Sequence, residues 1–566
     1  MPLEPTDGLQ AGSGARWLAW RPYVLLAVLT LVCLVPFCEK AFHIDDPLFV
    51  WAAQQIAKHP LDPYGFNVVW YTNIAPMSEV TKNPPLASYY GAAIGTVAGW
   101  SEVALHLAFL PFALMVILGT YYLARRFTRN PMLAAAATLL TPAFLVSSSS
   151  VMCDTMMVAL WILAIIFWLE GLDRMNPALL IGSGLLIAAC ALAKYFGVAL
   201  IPLLFTYSVA RERRLGRWAF YLLVPLVLLG GYQYWTHQLY GRGLLLDAGE
   251  YAAFMNDTEL ADRVAKILVA LSFVGGCALP AITFLPVVWT RRGLVVGSVL
   301  LAWIGLCFTM GWISVPAAAE AHLHWTRLTI QFTLFMAGGI SILALAFLDW
   351  WKRKDADSLL LMLWVMGTFV FAALLNWTVN ARSVLPLIPA AGILLGRRVD
   401  AMKPLSLRGR AAALGIPLVL AGIVSLWVSW ADARLAGSAR LAAEYVRAHA
   451  GADAADLTFQ GHWGFQYYMQ SFGFQPVDFK DAFRNGIVMV IPENNTNTHY
   501  PPEKFILSKK IVGFDAATGI LMINPAAGAG FDSSIWGPLP YAFGAVPPER
   551  YAILRVANPA NNSPQQ

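Results

Sequence analysis

Six ionisable residues stand isolated in apolar or proline-rich surroundings: Asp45, Asp46, Lys82, Asp154, Lys194 and Arg382. His43-Ile44-Asp45-Asp46-Pro47 follows the first apolar run. Asp46 before Pro47 suits a helix N-cap with proline at the first helical position, and from there it could also support a site indirectly. Asp45 then has no local task. It is a loop acid placed to accept a proton or hold a metal. In Thr81-Lys82-Asn83-Pro84-Pro85 the prolines set the backbone around the lysine. A fixed ammonium is a partner for phosphate, although a lysine here could equally snorkel to lipid headgroups. Asp154 closes Val151-Met152-Cys153-Asp154 and either caps a helix or is an acid at membrane depth, a functional position by default. Lys194 interrupts an apolar hairpin and is an interfacial anchor or a phosphate partner. Arg382 precedes Pro386 and can grip a phosphate through two hydrogen bonds. Gathered on one face, these acids and cations would hold a phosphate and run a reaction beside it. Glu320, His322 and His324 offer metal-ligand atoms in one loop, but His-x-His on a loop is a weak signal. There is no P-loop, dinucleotide fingerprint, zinc-finger spacing or G-x-S-x-G.

The elements that must position these residues are membrane spans. The 566 residues are 58% hydrophobic and 13% charged, about half the charge of a soluble domain. A net charge of +6 comes from short basic clusters between apolar runs, which is no nucleic-acid signature. The six cysteines include no CxxC and no disulfide framework. About thirteen apolar runs can be read: 22–38, 103–124, 131–147, 155–171, 178–193, 197–210, 218–234, 265–289, 293–314, 328–348, 358–375, 383–396 and 411–430. Residues 1–21 carry Arg16 and Arg21 and no small-residue cleavage site, so the first run reads as a retained span with a cytoplasmic N-terminus. The positive-inside rule then puts Arg125, Arg126 and Arg129, the Arg211–Arg217 cluster, Lys352–Lys354 and Arg397–Arg410 in the cytoplasm. The six isolated residues fall on the other side. The long outer stretches are about 39–102 and 235–264, and Pro47–His59 reads as an amphipathic interfacial helix. Residues 22–430 thus form the transmembrane domain. Residues 431–557 alternate helix and strand patterns and predict an extramembrane α/β domain, with strands near Asp456–Gln460, Gly486–Ile491, Gly519–Asn524 and Tyr551–Val556. Residues 558–566 read as a disordered tail.

The ordered set has five parts: an acid pair after the first span, Lys-x-Pro-Pro, an Asp opening the fourth span, Lys-Tyr-x-Gly, and Arg-x-x-Leu-Pro-x-x-Pro. It resembles the GT-C membrane glycosyltransferases of family 39, the protein O-mannosyltransferase and aminoarabinose transferase group, over most of residues 20–430. The resemblance implies a polytopic α-helical membrane protein of GT-C fold, with about thirteen transmembrane helices and a C-terminal α/β domain. It implies inverting transfer of a sugar from a polyprenyl-phosphate donor to a lipid, glycan or protein acceptor. The transfer would occur on the non-cytoplasmic face of a bilayer, in a bacterial inner membrane with the C-terminal domain periplasmic. Carried over by position, Asp45 matches the first acid, Asp46 stands where Glu is commoner, and Asp154 matches the second acid. Lys82, Lys194 and Arg382 match residues that meet the donor phosphate. Ser383 stands where an aromatic often follows the arginine, which leaves sugar and acceptor open. The resemblance fixes no cofactor and leaves a divalent metal open. Rival readings are a lipid-linked oligosaccharide transferase, a flippase of lipid-linked glycans, and a non-catalytic scaffold. A flippase should show internal symmetry and ionisable residues at mid-membrane; no repeat is visible.

Overall fold

The computed structural model describes residues 13–256, 260–312, 315, 325–402, 406–450, 457–480 and 487–557. Glu320, His322, His324 and the 558–566 tail lie outside the described residues.

Among the described residues, seven helices are long and apolar enough to cross a membrane. They are Trp20–Phe37, Glu102–Phe127, Asp154–Asp173, Arg291–Thr309, Thr326–Arg353, Ala356–Leu375 and Arg408–His449. Pro131–Leu139 and Pro142–Ser148 meet at 63° and make an eighth if taken as one broken span. This corrects the expected thirteen. The lost spans are apolar stretches too short or too broken to cross, since a helix needs about 20 residues to do so. Pro177–Ala193 has 17 residues. The 197–210 run begins as a 3-10 turn and continues for only 13 helical residues. The 265–289 run ends in two single-turn helices at Pro280 and Pro286. The 383–396 run starts as one helical turn and a 3-10 turn around Pro386. Proline removes a backbone donor and clashes with the preceding turn, so an apolar run containing it need not be one helix.

The membrane reading rests on what the helices expose. On Arg291–Thr309, Val295 is 63%, Val299 63% and Trp303 57% exposed. An apolar stripe recurring every four residues and left uncovered belongs in lipid. The Asp46–Lys58 helix is different. Its Leu48, Phe49, Ala52, Ala53 and Ile56 are buried, and it packs on Leu86–Ala98. Protein, not the membrane interface, covers its apolar face.

The helix Glu102–Phe127 shows that the bundle has two distinct ends, about 39 Å apart at 1.5 Å per residue. At one end Glu102 accepts from Tyr468 of the C-terminal domain at 2.9 Å and pairs with Arg440 at 3.3 Å. At the other, Arg126 pairs with Asp173, Arg211 reaches the same Asp173 at 2.6 Å, and Thr128 donates to Asp400 at 2.7 Å. The arginine clusters gather at that second end.

The last helix, Leu407–His449, runs unbroken for 43 residues from the membrane into the C-terminal domain. The domain's main sheet contains β1 (Leu457–Phe459), β2 (Gln475–Pro476), β3 (Ile487–Pro492), β4 (Ile506–Phe514) and β5 (Glu549–Val556), in spatial order β2-β1-β3-β5-β4. β1 is parallel to β2 and β3, whereas β5 is antiparallel to β3 and β4. The helix Trp463–Ser471 follows β1 and packs on the last long helix. The α/β class is as expected. The Gly519–Asn524 stretch, however, forms two short strands outside this sheet, and the exposed edge strand β4, with Lys509 and Lys510, had no apolar alternation to announce it.

Candidate active site

Four consecutive residues, Val151 to Asp154, lie where Asp45, Asp46, Asp154, Lys194 and Arg382 converge, whereas Lys82 turns to Asp247. The Val151 amide donates to Asp46 Oδ1 at 2.8 Å. Met152 Sδ receives an N–H of Arg382 at 2.8 Å. Cys153 Sγ lies 3.8 Å from the side chain of Asn83, the neighbour of Lys82. Asp154, buried at the first turn of its helix, is ion-paired with Lys194. Lys194 ends Pro177–Ala193 and is extended there, so its ammonium reaches back to that helix start. Arg382 completes the arrangement. Its guanidinium meets Asp45 Oδ2 at 2.9 Å and approaches Asp532 Oδ1 at 3.7 Å. The short helix bearing it is held by an Asn380–Ser383 capping box.

Asp46 is the first residue of its helix, and Asp45 precedes it. Its carboxylate accepts from the amides of His43, at 2.9 Å, and Val151, and so ties the first loop to the Asp154 segment. Between His43 and Asp46, Ile44 takes φ +47, a left-handed backbone that β-branched residues rarely adopt.

Lys82 donates to Asp247 Oδ2 at 2.7 Å and lies 5.1 Å from the centre of the Tyr251 ring. Arg242 shares Asp247 at 3.4 Å. Asp247 and Tyr251 belong to the helix Leu244–Met255, within the second long loop. Sequence reasoning named neither as a partner.

A second, buried layer lies behind Asp45 and Arg382, and sequence reasoning missed it. Lys40 pairs with Asp432 Oδ2 at 2.5 Å, and His43 Nε2 lies 3.9 Å from Asp432 Oδ1. His43, Asp432 and Asp532 place one ligand atom each within 4.8 Å of one another, and this grouping is capable of coordinating a divalent metal. Burial pushes the Asp532 carboxyl up to about 7, against the pull of Arg382 and with the push of Asp432 and Asp45. Burial likewise raises Asp46 to about 6, although Lys40 and two amide donors resist. It lowers His43 to about 4, which leaves a neutral imidazole at neutral pH. The first-loop motif showed His43 in the sequence, but its partners lie hundreds of residues away and carry no local signal.

Residues 82–235 match the family described as dolichyl-phosphate-mannose-protein mannosyltransferase. Lys82, Asp154 and Lys194 fall inside that match; Asp45 and Arg382 fall outside it. Among solved structures, an Archaeoglobus fulgidus oligosaccharyltransferase tethered with an acceptor peptide containing the NVT sequon has a TM-score of 0.50 at 13% identity, covering 81% of this chain. Its apo form has a TM-score of 0.50 at 14% identity, covering 82%. These are likenesses of fold: the chain has the GT-C fold. It spans 64% and 65% of those two chains. ArnT from Cupriavidus metallidurans bound to undecaprenyl phosphate is similar at a TM-score of 0.43 and 15% identity, covering 85% of this chain and 94% of that one. No curated protein matches.

Proposed function

We propose that this chain transfers a sugar from a polyprenyl-phosphate carrier to an acceptor, with inversion at the anomeric carbon. The observation that carries this reading is the convergence on Val151–Asp154, which gathers Asp45, Asp154, Lys194 and Arg382 and the neighbour of Lys82 at one end of a membrane bundle. The bond between the anomeric carbon and the phosphate oxygen breaks, and the acceptor oxygen takes its place. Lys82, Lys194 and Arg382 hold the departing lipid phosphate, on which negative charge grows. Asp45, oriented by Arg382, takes the acceptor's hydroxyl proton. Asp154 fixes Lys194, and Asp46 fixes the loop that carries Asp45. Each cation already faces a carboxylate, so the donor phosphate enters a site in which the ammonium and guanidinium groups are pre-positioned.

The arginine-rich end fits the cytoplasm. The site and the C-terminal domain then face outward, in the periplasm if the host is a bacterium. The fold likeness to an oligosaccharyltransferase favours a second reading, in which the donor carries an oligosaccharide and the acceptor is a peptide. A flippase fits less well, because these ionisable residues sit at an end of the bundle instead of mid-depth.

Membranes supplied with radiolabelled polyprenyl-phosphate sugars test the proposal. Asp45→Asn should cut sugar release about 10²- to 10⁴-fold while the protein remains inserted and folded. Equal release from both proteins would remove Asp45 from the mechanism. Labelled lipid crossing the bilayer without release would favour the flippase.

A further inference from the structure

His43, Asp432 and Asp532 come from three remote parts of the chain: the first extramembrane loop, the last long helix and the C-terminal domain. Two of them are already oriented by a basic neighbour. Lys40 holds Asp432 Oδ2 at 2.5 Å, which leaves Oδ1 turned toward His43 Nε2 at 3.9 Å. Arg382 Nε lies 3.7 Å from Asp532 Oδ1. His43 is only 6% exposed, and its Nε2 has no hydrogen-bond partner. A buried ring nitrogen left unpaired has lost its water and gained nothing in return.

The surrounding charge points the same way. Asp45, Asp46, Asp432 and Asp532 contribute four carboxylates, against the two cations Lys40 and Arg382. Asp154 is balanced separately by Lys194. The layer therefore holds two more carboxyl groups than cations. One divalent cation would take the unpaired nitrogen and the Asp432 and Asp532 carboxyl groups as its ligands.

We infer that His43, Asp432 and Asp532 form a divalent-cation site that fastens the first loop, the last long helix and the C-terminal domain together behind Asp45 and Arg382. The donor set, one imidazole nitrogen and two carboxylates, selects Mn²⁺ or Zn²⁺ over the purely oxygen-seeking Mg²⁺ and Ca²⁺. The inference does not rest on the transfer reading, because a bound ion is measured without turnover.

The test uses the full-length, tag-free protein in detergent, stripped with a chelator and then titrated with Mn²⁺ or Zn²⁺. Wild type should retain about one equivalent by elemental analysis and unfold at a higher temperature when loaded. His43→Gln and Asp532→Asn should each weaken binding by more than the roughly tenfold that losing an outer partner costs. A wild type that retains no ion would overturn the site. So would variants that bind as tightly as wild type. Should a variant fail to fold, pulsed electron paramagnetic resonance of Mn²⁺ in the wild type decides. An imidazole nitrogen coupled to the ion supports the site, and its absence sinks it.

Discussion

Ile44 is where the site's residue-scale cost is most visible. A β-branched residue at φ +47 stores about 1–3 kcal/mol of strain. It persists because Asp46, two residues after the bend, accepts from the amide of His43 just before it and is itself fixed by the Val151 amide of another segment. The cap that proline at position 47 suggested is thus a tether between two loops. The Asp154–Lys194 pair poses a different question at this scale, since Asp154 is buried and its partner is the nearest compensation. Lys194→Met should destabilise the protein by about 3–5 kcal/mol, because an uncompensated carboxylate remains inside. The double variant Lys194→Met/Asp154→Leu should recover most of that stability in thermal denaturation and none of the transfer activity. Recovery of activity would show the pair to be structural only.

At the scale of elements, the docking of the C-terminal domain depends on a close approach. A β-carbon on Gly464, at the start of the helix Trp463–Ser471, would meet the Phe42 carbonyl oxygen at 1.9 Å. Gly464→Ala should therefore push that helix off the first loop, lowering stability by about 1–3 kcal/mol. Gly437→Ala, in the long helix with nothing within 4 Å, is the control and should gain up to about 1 kcal/mol. A thermal denaturation series in which both behave alike would discard the close-packing account. The sheet also carries a pH signature. Burial raises Glu549, at the start of β5, to about 7, against the hydrogen bonds from Asn494. The folded state then binds a proton that the unfolded state has already released between about pH 4.5 and pH 7. Stability falls as pH rises through that window, and Glu549→Gln should remove the fall. Its melting temperature should match wild type near pH 4 and exceed it at pH 8.

The whole molecule is organised by its two ends, even though its spans are fewer than the apolar runs suggest. Leu61, in the loop after the Asp46–Lys58 helix, is 77% exposed, and Met175, next to Arg174, is 86% exposed. All six native cysteines are buried, so introduced thiols stand out against a low background. A membrane-impermeant maleimide should label Leu61→Cys from the outer side and Met175→Cys only after the membrane is opened. Labelling of both from one side would refute the proposed orientation.

Much of the candidate site was legible because isolation in apolar sequence is itself a physical signal: a charge in such a setting is costly unless used. Asp45, Lys82, Asp154, Lys194 and Arg382 stood out for that reason. Composition determined the membrane class, and alternating patterns determined the α/β class of the C-terminal domain. The number of spans was not legible, because hydropathy counts apolar residues and does not see where proline and 3-10 turns break a helix. Lys40, Asp247, Asp432 and Asp532 were not legible either. Their meaning lies in partners such as His43 with Asp432, or Arg382 with Asp532, whose distance along the chain bears no relation to their distance in space. Only tertiary packing, which pressed the C-terminal domain onto the first loop, decided that Lys40, Asp432 and Asp532 share one buried layer.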